Sequence, residues 1–379
     1  MEKESEHTID SSNVVTLFLA GDVMTGRGID QILPHPGDPL IHESFMKSAV
    51  GYVDLAQRAN GPIPHPVDFP YVWGDALEVL DRAAPDARIV NLETAVTTSV
   101  EYWKDKGINY RMHPENVRCI AVARIDCCVL ANNHVLDWGY SGLQETLLTL
   151  KKADVKCAGA GGNLHEAEAP AVIEAGGKGR VVVFAFGSET SGIPYSWGAS
   201  IDRPGIPLLE DLSDKTVRRI AERVKQVKRR GDVVVISLHW GANWGFDISN
   251  EQIDFAHRLI DEAGADVIHG HSSHHPRGIE VHHEKPVLYG CGDLLNDYEG
   301  IRGYEEFRGD LCLMYFAGID ASTGSLVRFY AIPMRVKRFR LTRAQPEEAG
   351  WLRELLNRES ERFGVRAESI NGDAIALRW

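Results

Sequence analysis

Short, β-branched apolar runs alternate with helical patterns along this chain, and nearly every run hands over to polar residues at its C-terminal end. Val14–Ala20 stops at Gly21-Asp22, Ala87–Leu92 at Glu93, and Asp126–Ala131 at Asn132-Asn133-His134. Arg180–Phe186 comes next, followed by Asp232–Leu238, which ends on His239-Trp240, and Ala265–Ile268, which enters His269-Gly270-His271. Continuous apolar runs of this length read as strands buried on both faces. Strands that alternate with helices imply layered α/β architecture. Such sheets carry their sites at the C-terminal strand ends, so the polar residues gathered there are the first candidates for chemistry.

The helical patterns fill the gaps. Ser141 and Gln144 form a capping-box pattern beside Leu143, Leu147, Leu148 and Leu150 at helical spacing. Residues 214–230 and 250–263 read as amphipathic helices with charged outer faces. The segment 30–70, rich in Pro, Gly and His, reads as a long loop over the sheet edge. Two late strands, 311–319 and 326–340, precede a helix expected over 346–363. No internal repeat and no linker stands out, so one principal domain is expected.

Charge and cysteine usage narrow the setting. The 379 residues carry 41 Lys+Arg against 54 Asp+Glu, a net charge of −13, which argues against a nucleic-acid partner. The first thirteen residues are acidic and polar, unlike a secretory signal, and no run approaches the length of a membrane helix. The six cysteines form no CxxC pair and read as reduced core residues. A cytoplasmic protein without a membrane span is expected; the oligomeric state is open.

Asp22, Glu93, Asn133, His134, His239, His271 and His274 together offer carboxylate, carboxamide and imidazole donors. These suit a divalent ion such as Mn, Fe, Zn or Mg, as one ion or two. A single Asp after a strand commonly caps a turn; several donors, each at the end of a buried strand, point to a shared ion. Arg27, in Gly26-Arg27-Gly28, is placed to bind a carboxylate or phosphate bidentately. Asp137 is spaced to orient His134 or to serve a turn beside Gly139. Asp293 and Asp297 are expected at the site edge, with Asp293 contacting substrate. His282 and His283 read as surface residues of a hairpin. Gly159–Gly162 lacks the Lys and Ser/Thr of a phosphate loop. The run Arg335–Arg343 reads as a solvated edge strand that an anionic polymer could also contact.

The ordered motifs Gly21-Asp22-Val23-Met24, Asn91-Leu92-Glu93, Asn132-Asn133-His134 through Asp137-Trp138-Gly139, Leu238-His239-Trp240-Gly241 and Gly270-His271 through His274-His275-Pro276 resemble the bacterial poly-γ-glutamate capsule synthesis proteins, the CapA/PgsA-like family. That family sits with the calcineurin-like metallophosphoesterases. The resemblance implies a four-layer α/β sandwich of two mixed β-sheets flanked by helices, with a metal centre at the strand ends. By the same resemblance Asp22, Glu93, Asn133, His239, His271 and His274 are metal ligands, with Glu93 at the bridging position, and His134 acts on the leaving group. Two departures stand out: Met24 occupies a histidine ligand's place, and two serines separate His271 from His274.

Residues 1–13 are thus expected as a disordered N-terminal extension, 14–340 as the CapA-like metallophosphatase domain, and 341–379 as a C-terminal helical extension packing on it. The implied function is a metal-dependent hydrolase in poly-γ-glutamate biosynthesis, acting on an anionic, phosphorylated or peptide-like substrate. The alternatives are a metal-dependent peptide epimerase using a His/Asp pair and a non-catalytic metal-binding assembly partner.

Overall fold

The computed structural model describes residues 13–379; the expected N-terminal extension lies outside them except for Asn13. Among the described residues the strands form two large mixed sheets, of ten and seven strands, and one small pair. The strand Val14–Val23 is central to the first sheet. It runs parallel to Ala87–Leu92, which pairs in parallel with Cys127–Val129, and antiparallel to Leu311–Asp320. In the second sheet Val233–His239 lies between Arg180–Ser188 and Val267–His271, all parallel.

Period-two alternation explains how the sheets stack. In the second sheet Val181, Val183, Val233, Val235 and Val267 point into an apolar cluster shared with the first sheet. Their neighbours Val182, Phe184, Val234, Ile236 and Ile268 point the other way, onto Val217, Ile220 and Val224 of the helix Asp214–Val227 and Phe255 and Leu259 of Asn250–Asp261. Helices Ala76–Ala83, Arg118–Val122 and Gly139–Lys152 pack on the first sheet through Leu80, Ile120, Leu143 and Leu150. The result is the four-layer α/β sandwich with helices outside and two sheets within. The same alternation turns Ser237, His239, His269 and His271 inward, in step with the inward-facing valines.

Several local expectations are corrected. The segment 30–70 is not one loop: it holds the helix Val50–Asn60, with Tyr52, Val53 and Ala56 buried, and Gly28–Ile32 runs into its start. Proline-rich flanks masked so short an apolar face. Ser141 lies inside its helix rather than capping it; the helix begins at Gly139 without a side-chain cap, and Ser141 pairs with Ser99 and Glu101. Complete capping boxes occur instead at Ser249/Gln252 and Gln345/Glu348. The run Arg335–Arg343 is no single edge strand; it ends Leu326–Val336, turns, and returns as Leu341–Arg343. After the helix Pro346–Ser360 the chain adds a hairpin, Arg366–Ile370 with Ala374–Arg378, whose second strand extends the first sheet beside Leu326–Val336.

All six cysteines are free and five are buried. No helix among the described residues is long and apolar enough to cross a membrane.

Gly270 separates the two inward histidines at a place where no side chain fits. A Cβ there would lie 2.5 Å from the Leu288 carbonyl oxygen and 2.6 Å from that of Tyr289. Gly350, within the helix Pro346–Ser360, meets nothing within 4 Å. Gly270→Ala is therefore expected to destabilise the protein by about 1–3 kcal/mol through overpacking. Gly350→Ala is expected to stabilise it by roughly 0.5–1 kcal/mol through helix propensity. Urea denaturation of the two variants checks the opposite signs.

Candidate metal centre

Register brings the donors together. Parallel pairing sets His239 beside His271 and Ser237 beside His269 in the second sheet. In the first sheet Asp293–Leu295 pairs in parallel with the end of Val14–Val23 and sets Asp293 beside Asp22. Where the two inner faces meet, Asp22, His239 and His271 bring donor atoms within 4.8 Å of one another, and so do Asp22, His274 and Asp293. Asp22 is common to both groups.

A short relay sets the tautomer of His271. A carbonyl oxygen only accepts, so His269 Nε2, 2.9 Å from the Ala20 oxygen, carries a proton and donates. Its Nδ1, bare in the neutral ring, then accepts from the Ser237 hydroxyl at 3.1 Å. Ser237 Oγ in turn accepts from His271 Nε2 at 2.8 Å, which leaves the His271 Nδ1 lone pair free. That lone pair faces His239 Nδ1 at 2.8 Å and Asp22 Oδ1 at 3.9 Å. Burial holds all three imidazoles below the usual histidine value, His269 at about 4, so they are neutral, and His239 and His271 keep lone pairs that a cation could use. His269 thus positions His271 instead of joining the donor groups.

The remaining expected residues converge on the same place. Asn133 Oδ1 lies 3.1 Å from His239 Nε2. Asn91 donates to Asp22 Oδ1 at 2.7 Å and to Glu93 Oε2 at 3.0 Å, tying the two carboxylates into one array. Burial and the nearby Asp293 carboxylate raise Asp22 to about 7, and burial with the adjacent Asp22 charge pushes Glu93 well above the carboxylate range. Asp22 Oδ2 has no hydrogen-bond partner although the residue is fully buried. An orphaned buried carboxylate oxygen, neutral imidazoles and further carboxylates fit a divalent ion of hard to borderline character. Burial alone would lower His274, but Asp293, 2.9 Å from its Nδ1, raises it above the ordinary value with Asp22 adding to the effect.

His134 stands beside this array. Its Nδ1 lies 2.6 Å from Asp137 Oδ2 and 3.0 Å from Lys106 Nζ; with the Nδ1 proton turned to the shorter contact, the carboxylate, Nε2 is bare and 3.7 Å from Glu93 Oε1. Asp137 also accepts from the Tyr110 backbone at 2.6 Å and pairs with Lys106 Nζ at 2.6 Å. Burial, reinforced by the Lys106 charge, lowers His134 to about 4 despite Asp137.

Two residues sit differently from expectation. Asp293, expected to contact substrate at the edge, lies within a donor group. Arg27, expected to clamp a substrate anion, is 3% exposed and gives its bidentate face to Asp297, at 2.8 and 2.5 Å, and its third nitrogen to Glu43 at 3.0 Å. It lies 3.5 Å from the Tyr52 ring centroid and 4.3 Å from that of Tyr110. Lys106, Asn91, Ser237, Asn243 and Tyr298 were missed. Asn91 and Ser237 carry a signal, since each stands two residues before a candidate donor on the same strand face; Lys106, Asn243 and Tyr298 come from irregular segments and carry none. A cavity of about 670 Å³ opens from His274 and is lined by Tyr110, Asn243, Trp244, Asn296 and Tyr298.

The model of the family described as "Bacterial capsule synthesis protein PGA_cap" matches residues 16–298. A Mycobacterium tuberculosis protein named as a probable polyglutamine synthesis accessory protein is 48% identical over 355 residues, 93% of each chain. The PGA biosynthesis protein CapA of Bacillus subtilis is 25% identical over 307 residues, 80% of this chain and 68% of its own. Among solved structures, a phosphatase from Mycoplasma pneumoniae aligns over 89% of this chain and 96% of its own, at 10% identity and a TM-score of 0.47. Matched by the family model from its first strand to beyond the last donor, and 48% identical to a relative over nearly its whole length, the chain belongs to the bacterial capsule synthesis protein family.

Proposed function

We propose that the chain is a metal-dependent hydrolase of this family, acting on an anionic, phosphorylated or peptide-like substrate in the service of poly-γ-glutamate synthesis. The observation that carries the reading is Asp22: one buried carboxylate common to two donor groups, with an oxygen that no protein group satisfies. In this reading Asp22, His239, His271 and Asn133 hold one position, and Asp22, His274 and Asp293 a second. Asp293 supplies the donor that Met24 cannot, and Glu93 stands next to both. A divalent ion held there supplies Lewis acidity and lowers the pKa of bound water. The names of the Mycobacterium and Bacillus relatives support the pathway.

The chain's own groups do the rest. Asp137 holds His134 with Nε2 bare and aimed toward the array, so His134 can take a proton from attacking water and return it to a leaving group. Lys106 pairs with Asp137 and holds it in place, which keeps the imidazole in one orientation. Tyr110, Trp244 and Tyr298 line the cavity that opens from His274 and exclude water around the organic part of a substrate.

Two expected outcomes test this. Asp22→Asn should lose bound Mn²⁺, measured by elemental analysis, together with hydrolysis of an aryl phosphate; full metal content in that variant would falsify the shared-ligand reading. His134→Ala should keep its metal while kcat falls about 10²- to 10⁴-fold, the usual contribution of a positioned acid/base. Unchanged turnover would remove His134 from the chemistry. Deuterium uptake at a peptide α-carbon without hydrolysis would replace the hydrolase by the epimerase.

A further inference from the structure

A second cluster of donors lies at the edge of the second sheet and shares no residue with the buried centre. The helix Asn250–Asp261 places His257 and Asp261 four residues apart, on one face and away from its buried Phe255 and Leu259. The edge strand Ile279–His282 turns Ile279 and Val281 to the core, so Glu280 and His282 face outward, two residues apart. These two pairs meet. His257 Nε2 lies 2.9 Å from Glu280 Oε1, His282 Nε2 lies 3.0 Å from Asp261 Oδ2, and the His257 and His282 rings stack at 3.8 Å and 6°. The hairpin turn adds a third imidazole, with His283 Nδ1 2.9 Å from Asp261 Oδ1.

We propose that this cluster is a surface site for one divalent transition-metal ion of the zinc type, with Asp261, His282 and His283 as protein ligands and His257 and Glu280 adjoining. The donor atoms of Asp261, His282 and His283 lie within 4.8 Å of one another, as do those of His257, Glu280 and His282, so His282 belongs to both halves. Their contacts of 2.9–3.2 Å approach the spacing of about 3.3 Å between neighbouring ligands of a tetrahedral ion with bonds near 2.0–2.1 Å. Imidazole with carboxylate favours zinc and its neighbours over calcium or magnesium, which prefer oxygen alone. Three features prepare the site for a cation. Asp261 ends its helix, where the backbone dipole is negative. Glu280 is fixed by the Tyr289 hydroxyl at 2.6 Å. The side chains of Asp261 and His283 are 39% and 73% exposed, which leaves an entry path.

Equilibrium dialysis of the full chain against Zn²⁺, with the bound metal counted, tests the proposal. His282→Ala and Asp261→Asn should each bind one zinc fewer than the unsubstituted protein, with the circular dichroism of all three alike. The two variants touch neither donor group of the buried centre, so its occupancy serves as an internal reference. Zinc counts equal to that of the unsubstituted protein in both folded variants would overturn the proposal. Should His282→Ala fail to fold, Asp261→Asn alone decides, because it keeps the side chain's shape and removes only its charge.

Discussion

Burying a carboxylate costs several kcal/mol unless something compensates its charge, and Asp22 is buried at the join of two sheets with one oxygen unsatisfied. The surroundings make the cost larger, since burial and the nearby Asp293 carboxylate hold its carboxyl up at about 7, and Asp22 in turn helps burial push Glu93 above the carboxylate range. A fold selected for stability alone would place an apolar side chain here. Three carboxylates beside neutral histidines fit the cation proposed for the array, and the neighbouring groups align with them. Asn91 aligns Asp22 with Glu93, the Asp293 strand pairs where Asp22 ends, and the second sheet brings its histidines from the opposite side.

The histidines are not interchangeable. His271 and His239 offer lone pairs, His269 fixes the tautomer of His271 through Ser237, and His134 is held by Asp137 with its free nitrogen facing the carboxylates. His274 alone is raised, because Asp293 lies against it. Environment, more than residue type, divides the labour. Arg27 shows the same rule from the other side: two buried carboxylates take up its charge, so it braces the wall of the cavity.

The candidate donors were legible in sequence where strands end, because a buried strand announces its terminus by a change from apolar to polar residues. Asp22, Glu93, Asn133, His239 and His271 are candidates read in that way, and the family resemblance implied the layered sandwich that the chain adopts. Asn91 and Ser237 could have been read from the period of two. Lys106 and Tyr298 could not, since they reach the centre from irregular segments whose path is set by tertiary packing. The helix Val50–Asn60 was hidden by its proline-rich flanks. The pattern at Ser141 misled because Asp137, bound to His134 and the Tyr110 backbone, already dictates how the chain enters that helix.

The chain of contacts from His271 through Ser237 and His269 ends on the Ala20 carbonyl, which belongs to the other sheet. His271, on one layer, is thereby registered against the backbone of its neighbour. Sliding the sheets past each other by even part of a residue would pull His269 off that oxygen, release its tautomer and turn His271 away from Asp22. The interface between the sheets is therefore both an apolar core and an alignment gauge, and mechanical shear between the layers is coupled directly to the geometry of the donors.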